Sequence, residues 1–133
     1  MATFPFELVA PERVLFSGNV DAVLLPGTEG EMTVLPGHAP VMTALKTGFL
    51  VITNHKGDGE RVLVRGGFAD ISARGVTVLA ERALPVEDLT PEILDREILQ
   101  AEMARDATED FSARQAADAA ITQLREAKAA LNY

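Results

Sequence analysis

The chain is short of three things: cysteine, basic residues and long apolar segments. None of its 133 residues is cysteine, which excludes disulfide bonds, thiolate zinc sites and cysteine nucleophiles. Its longest apolar runs, such as residues 23–26 and 49–52, fall far short of the roughly 20 residues that span a bilayer. Twelve Lys and Arg against 20 Asp and Glu give a net charge of −8. This balance argues against nucleic-acid binding, because a binder needs clustered basic residues to neutralise phosphates.

The N-terminal segment MATFPFELVAPERV also lacks the features of a targeting signal. It has no basic flank followed by a continuous apolar stretch, and no amphipathic segment rich in Arg and Ser. We therefore expect neither secretion nor organelle import, and a cytoplasmic location.

Glycine is absent from the last part of the chain, since all ten glycines lie at or before Gly75. The charge balance changes as well. Residues 1–86 hold seven basic and nine acidic residues, whereas residues 87–133 hold five and eleven. These shifts predict two domains, residues 1–86 and residues 87–133.

The first predicted domain has the pattern of β-structure. Short runs rich in Val, Leu, Phe and Thr occur at residues 4–9, 14–20, 22–25, 32–35, 49–53, 61–64, 68–71 and 76–80. Turns with Gly or Pro separate them, and the polar segment 54–59 should close an exposed hairpin. Phe4, Phe6 and Leu8 alternate onto one face, as do Val76 and Val78. The pattern predicts an antiparallel β-sandwich or flattened barrel.

The second predicted domain begins with a helix. Thr90 is a suitable N-cap, and Pro91 occupies the first helical position, where its missing N–H costs nothing. Apolar residues then recur at helical spacing, at Leu94, Ile98 and Ala101, widened by Leu99 and Met103.

A second helix is predicted after a break at residues 106–111. Ser112 and Gln115 have the spacing of a capping box, with Phe111 as the preceding hydrophobic staple. The apolar stripe of this helix consists of Ala117, Ala120, Ile121, Leu124, Ala127 and Leu131. Two adjacent helices joined by a short break predict an αα-hairpin.

The turn-rich stretch PGTEGEMTVLPGHAP, residues 26–40, is the main candidate for chemistry. PGTEGEM and GDGER look like glycine-rich phosphate loops, but neither contains Gly-Lys-Ser/Thr and neither precedes a helix. A metal site would need His38 or His55 with carboxylates such as Glu29 and Glu31, and such residues in turns are mostly solvated. No Gly-x-Ser-x-Gly elbow exists. We expect that the protein is not an enzyme and that it binds neither a cofactor nor a metal ion.

Two alternatives remain open from the residues alone. One is a small hydrolase that uses His38 with Glu29 or Glu31. The other is a stand-alone ligand-binding β-sandwich with a helical interaction tail.

Three blocks of sequence resemble one family. PGTEGEMTVLPGHAPVMTALKTGFL resembles the signature of the ε subunit of the F-type ATP synthase, which is called δ in mitochondria. RGGFADISARGVTVLAERA is similar to the second block of that family, and FSGNV to a shorter third block. The blocks span most of residues 14–84 in the family's order.

The resemblance implies a function as well as a fold. Family members combine an N-terminal β-sandwich with a C-terminal helical hairpin. They sit in the central stalk of the rotor, bound to the γ subunit and seated on the ring of c subunits, and they have no active site. The hairpin can contact the α/β head transiently and restrain ATP hydrolysis. The resemblance therefore implies a peripheral protein on the cytoplasmic face of a bacterial plasma membrane, attached only through the complex.

The resemblance also assigns roles to individual residues. Glu29 and Glu31 match the acidic turn that faces the polar loops of the c-ring. The positions that match the γ-facing segment are His38, Pro40, Val41, Met42 and Thr43. The alternative for His38 is a ring that hydrogen-bonds neighbouring backbone in the turn, and the alternative for Met42 is a place in the sandwich core.

The helical tail departs from the nucleotide-binding members of the family. Thr90 stands where they carry an aspartate, and Ile93 where they carry an arginine, so we expect no nucleotide binding. The second helix offers Arg114, Arg125 and Lys128 as basic residues, offset by acidic neighbours. We therefore expect weak or absent inhibition of ATP hydrolysis.

Overall fold

Alternating apolar residues and Gly or Pro turns build ten β-strands, followed by two α-helices. The computed structural model describes residues 2–54 and 59–133; part of the turn predicted at 54–59, including His55, lies outside these residues. The chain divides into two units, Met1–Val86 and Glu87–Tyr133. The strands are β1 Phe4–Ala10, β2 Arg13–Val20, β3 Ala22–Gly27, β4 Gly30–Val34, β5 Val41–Leu45, β6 Gly48–Thr53, β7 Gly59–Val64, β8 Gly67–Ser72, β9 Gly75–Ala80 and β10 Ala83–Pro85. The helices are α1 Pro91–Asp106 and α2 Phe111–Ala130, preceded by a single 3-10 turn at Val86–Asp88.

The strands of the first unit form one sheet that curls around a single core. Their order is β10-β7-β6-β3-β5-β8-β9-β1-β2, with β4 paired to β3. Neighbouring strands are antiparallel except β1 and β9, which run parallel. All ten strands contribute buried side chains to the core. The predicted β-sandwich is confirmed.

Strand alternation explains which residues enter this core. Phe4, Phe6 and Leu8 are buried, whereas the residues between them are exposed. Val76 and Val78 repeat the pattern in β9. Successive side chains of a strand point to opposite faces, so a period of two places one set inside and the other outside.

Two strands were not predicted from the sequence. The strand β5 follows Pro40, and its first two residues, Val41 and Met42, are apolar but exposed. The strand β10 has only three residues and ends at Pro85, which is a position that suits an edge strand.

A narrow contact between β3 and β5 joins the two parts of the sheet. Gly27 pairs with Leu45. The Thr28 N–H donates to the Ala44 carbonyl at 3.0 Å, and the Lys46 N–H donates to the Pro26 carbonyl at 2.9 Å. A Cβ atom on Gly27 would lie only 2.8 Å from the Gly30 carbonyl oxygen, so a side chain at this position would displace backbone.

The start of α1 is confirmed as predicted. The Thr90 hydroxyl accepts a hydrogen bond from the Ile93 N–H at 3.2 Å, and Pro91 opens the helix. Leu94, Ile98 and Ala101 are buried as expected.

Two details of the predicted hairpin are wrong. Leu99 and Met103 are 55% and 61% exposed, because successive helical residues are about 100° apart and these two lie opposite the buried stripe. The N-cap of α2 lies two residues earlier than the predicted Ser112, because the Asp110 side chain accepts from the Ala113 N–H at 2.9 Å. Ser112 therefore lies inside the first turn.

The hairpin itself is confirmed, since α1 and α2 pack together. On α2 the buried residues are Ile121, Leu124 and Ala127. Within the described residues, neither helix combines the length and the apolar character needed to cross a membrane.

The contact at Gly27 predicts a matched pair of stability effects. We expect Gly27→Ala to lower the free energy of unfolding by about 1–3 kcal/mol, because the added methyl group forces the β3–β4 backbone apart. The control is Gly18→Ala in β2, where the new Cβ would meet only the Phe16 ring at 3.7 Å. That variant should be unchanged or more stable by up to about 1 kcal/mol. Urea unfolding checks both, and equal effects would contradict the close approach.

Candidate functional site

The two glutamates of the turn-rich stretch lie at one end of the sheet. Gly27 and Gly30 pair across the β3–β4 hairpin, which leaves Thr28 and Glu29 as its two-residue tip. Glu31 follows as the second residue of β4, and both carboxylates belong to exposed residues. We call Thr28–Glu31 the acidic tip. It presents two carboxylates to solvent at the end of the paired strands β3 and β4.

His38 lies at the other end of β4, in a tight turn. The His38 N–H donates to the Leu35 carbonyl at 3.1 Å and closes a β-turn with Pro36 at its second position. The ring bonds the backbone too, because Nδ1 donates to the Ala39 carbonyl at 2.8 Å. The structure thus contains the backbone bond that was one of two interpretations of this ring.

The strand β4 separates His38 from the acidic tip. An extended strand rises about 3.3 Å per residue, so Glu31 lies roughly 10 Å from the end of β4 before the His38 turn begins. A general base must come within hydrogen-bond distance of its partner. The arrangement does not bring together the residues of the hydrolase alternative. Among residues 2–54 and 59–133, no three His, Asp or Glu side chains converge as metal ligands.

A cavity of about 270 Å³ lies beside the His38 turn. Its polar side chains are His38 and Ser72, and the Ser72 hydroxyl donates to the Gly75 carbonyl at 3.3 Å. Small-molecule sites usually measure roughly 300–1,000 Å³ and offer several convergent polar groups. The cavity therefore gives little support to the ligand-binding alternative.

The strand β5 divides the predicted γ-facing segment between two faces. Met42 pairs with exposed Asp70 and is itself 68% exposed, so the alternative that places Met42 in the sandwich core is wrong. Val41 and Thr43 pair with the buried residues Ile71 and Ala69, and they point to the opposite side of β5.

Met42 lies beside an apolar strip that crosses five strands. The strip consists of residues in direct cross-strand register: Ala44, Phe68, Leu79, Val9 and Val14. We call these five residues the outer strip. Phe68, Leu79 and Val14 are each 56% exposed.

A polar row runs next to the outer strip. Asp70, Thr77 and Glu7 are cross-strand neighbours, one alternation step along each strand, and apolar Met42 continues their line on β5. Soluble monomers rarely expose contiguous apolar surface, and an apolar centre with a polar border is typical of protein–protein contacts.

Sequence reasoning did not identify the outer strip. Its residues are distributed from position 9 to position 79, and only the strand register brings them together. A local signal exists, because Phe68 and Leu79 are large apolar residues on the exposed alternation of β8 and β9, beside buried Ala69 and Val78. A strand with apolar residues on both faces indicates that its outer face is covered as well as its core face.

The basic residues of α2 bind within their own unit. Arg114 donates to the Thr108 carbonyl at 3.2 Å. Arg125 lies 3.7 Å from the Glu102 carboxylate, and Lys128 lies 2.6 Å from Asp95. The Thr90 hydroxyl is engaged as the cap of α1.

Comparison with known proteins decides the family. The family model described as the β-sandwich domain of the ATP synthase delta/epsilon chain matches residues 3–86. The chain belongs to the ATP synthase delta/epsilon family. The resemblance noted in the sequence is confirmed.

Curated relatives match this delta/epsilon chain over nearly its whole length. The ATP synthase epsilon chain of Mesorhizobium japonicum is 49% identical over 122 residues, which cover 91% of this chain and 90% of the relative. The epsilon chain of Chelativorans sp. is 43% identical over 129 residues, covering 97% and 96%. These matches extend beyond the sandwich into the helical unit.

Solved structures have the same fold as this delta/epsilon chain. A chain in the mitochondrial ATP synthase of Euglena gracilis, a structure comprising OSCP, F1 and the c-ring, matches with a TM-score of 0.76 and 25% identity, covering 98% of this chain and 82% of that chain. A chain of the central stalk and c-ring of the Tetrahymena thermophila enzyme matches with a TM-score of 0.68. Its identity of 13% supports the fold alone.

Proposed function

We propose that this chain is a central-stalk subunit of an F-type ATP synthase, which links the γ subunit to the c-ring and turns with them. The observation that carries the proposal is the match to ATP synthase epsilon chains over 97% of this chain and 96% of the relative. The Euglena neighbour was solved together with F1 and the c-ring, which supports the same assembly. The subunit couples proton-driven rotation to ATP synthesis on other subunits and contributes no catalytic group.

The γ subunit binds at the outer strip and the neighbouring segment 38–43. Burying apolar area stabilises association by about 25 cal/mol per Å², and Phe68, Leu79 and Met42 offer much of the exposed apolar area of this surface. The polar row beside them fixes the register of the partner. His38, Pro40, Val41 and Thr43 extend the contact around the edge of β5.

The c-ring binds at the acidic tip. Glu29 and Glu31 are exposed on a two-stranded hairpin that holds them in place. Opposite charges on the polar loops of a partner would attract them, which favours correct encounter and register more than affinity.

The two units take different roles as domains. Residues 1–86 form the docking domain. Residues 87–133 form a helical domain that reaches the α/β head transiently and restrains ATP hydrolysis weakly. The subunit is peripheral on the cytoplasmic face of a bacterial plasma membrane and is held there by its partners. Its net charge of −8 disfavours nucleic acid, and Thr90 and Ile93 offer no charged group to a nucleotide.

A pull-down from gently solubilised membranes of the source bacterium tests the γ contact. With an N-terminal tag, the wild-type chain should recover α, β, γ and c. Leu79→Glu should reduce the recovered γ by about ten-fold or more, because the carboxylate would be desolvated without a partner. The control is Leu99→Glu on α1, where the leucine is equally exposed at 55% against 56%. Equal losses for both variants would exclude the outer strip, and a wild-type chain without partners would exclude the whole assembly.

The same assay tests the acidic tip with Glu29→Gln and Glu31→Gln combined. We expect roughly three-fold less c subunit at low ionic strength, with γ retained, because only a screened surface attraction is lost. The control is Glu12→Gln with Glu60→Gln, which removes two exposed charges elsewhere. If the recovery of c is unchanged, or falls equally in the control, the acidic tip does not bind the c-ring.

Deleting residues 88–133 tests the hairpin. We expect the membrane ATPase activity to change by less than about two-fold. Arg125 and Lys128 already pair with acidic residues of α1, and exchanging these exposed ion pairs for similar pairs with another subunit would stabilise that contact little. ATP hydrolysis by membranes with the full chain and with the shortened chain gives the comparison. An increase of several-fold would show that this hairpin is an effective inhibitor.

A further inference from the structure

The residues after α2 turn back towards the start of α1. The Tyr133 N–H donates to the Lys128 carbonyl at 3.0 Å, and the Asn132 N–H donates to the Ala129 carbonyl at 3.1 Å. Asn132 has a φ of 60°. These bonds define a Schellman motif, in which a left-handed residue ends the helix and reverses the chain.

The reversal places Tyr133 on the beginning of the helical unit. Its hydroxyl donates to the Leu89 carbonyl at 2.8 Å, just before the Thr90 cap of α1. Leu89 is 3% exposed, whereas Tyr133 is 44% exposed. Asparagine is one of the few residues besides glycine that adopts the left-handed conformation routinely, so the Asn-Tyr pair both ends α2 and directs the hydroxyl.

Ion pairs connect the two helices along their length. Lys128 pairs with Asp95 at 2.6 Å, Arg125 with Glu102 at 3.7 Å, and Arg105 with Asp118 at 3.3 Å. Hydrogen bonds to Asp106 and Asp118 raise the pKa of Arg105. All three pairs are at least partly exposed, so salt weakens them.

We propose that Asn132 and Tyr133 form a latch that holds α2 closed on α1. While the latch is closed, Lys128 and Arg125 stay with Asp95 and Glu102. The hydroxyl–carbonyl bond joins uncharged groups, so it persists at the salt concentrations that weaken the ion pairs.

Hydrogen exchange of the full chain, followed by mass spectrometry, tests the latch. Tyr133→Phe keeps the ring and removes only the hydroxyl. We expect exchange in peptides covering residues 91–98 and 120–130 to accelerate about five-fold, as the loss of one hydrogen bond implies. The acceleration should remain at high salt. Peptides from residues 20–27 of the sandwich should not change.

Two substitutions at Asn132 separate the latch from simple helix capping. Asn132→Gly preserves the left-handed turn and should exchange like the wild type, whereas Asn132→Ala disfavours that turn and should behave like Tyr133→Phe. If Asn132 only caps α2, then Asn132→Ala would accelerate the last turn of α2 and leave residues 91–98 unchanged.

The results of these exchange measurements do not depend on whether the chain assembles with ATP synthase subunits. Exchange within two-fold of wild type at residues 91–98 in both Tyr133→Phe and Asn132→Ala would overturn the latch. Because the isolated chain is measured, that result would leave the rotor assignment intact, and a failed pull-down would leave the latch intact.

Discussion

The short pairing of β3 with β5 is the constraint on which the first unit depends. One part of the sheet ends at β3, which also carries the acidic tip, and the other part begins at β5, which carries Met42 and the edge of the outer strip. Only Gly27 and Leu45 pair at this point, supported by two adjacent backbone hydrogen bonds. The two candidate surfaces therefore keep a fixed relation through these backbone contacts and the shared core, and the backbone contacts require a residue without a side chain at position 27.

Strand alternation produces both the core and the outer strip. Burying Ala69, Val78 and Leu8 on one face forces Phe68, Leu79 and Val9 onto the other, because successive side chains point in opposite directions. If the outer positions were polar, the first unit would expose the kind of surface that is usual for a protein without partners. The apolar residues there add nothing to the core, and their presence is understandable in a chain that works inside a larger complex.

Most of the fold could be predicted because it depends on neighbouring residues, whereas the features that depend on long-range packing or strand pairing could not. The alternation in β1 and the Thr90-Pro91 start of α1 depend on neighbouring residues, so the sequence reveals them. The strand β5 begins with exposed apolar residues, so its sequence shows no alternation of apolar and polar residues. Whether Leu99 and Met103 are buried depends on which side of α1 packs against another element, and the sequence does not reveal that side. The acidic residues and the 38–43 segment could be named from the resemblance. The outer strip could not, because its five residues come from five strands and share a face only after the register of the sheet is known.

The parallel pairing of β1 with β9 has a consequence for the order of folding. Phe6 pairs with Val76, so β1 has no neighbour on that side until nearly the entire sandwich has been synthesised. Until then, one edge of the antiparallel β1–β2 hairpin stays unpaired. The loop closed by the β1–β9 pairing spans almost all of the first unit. Contacts of such long range form slowly, whereas α1 and α2 meet across a short connection. The sandwich therefore closes last at the seam where its N-terminal strand meets β9, and that seam lies under the outer strip, between Val9 and Leu79.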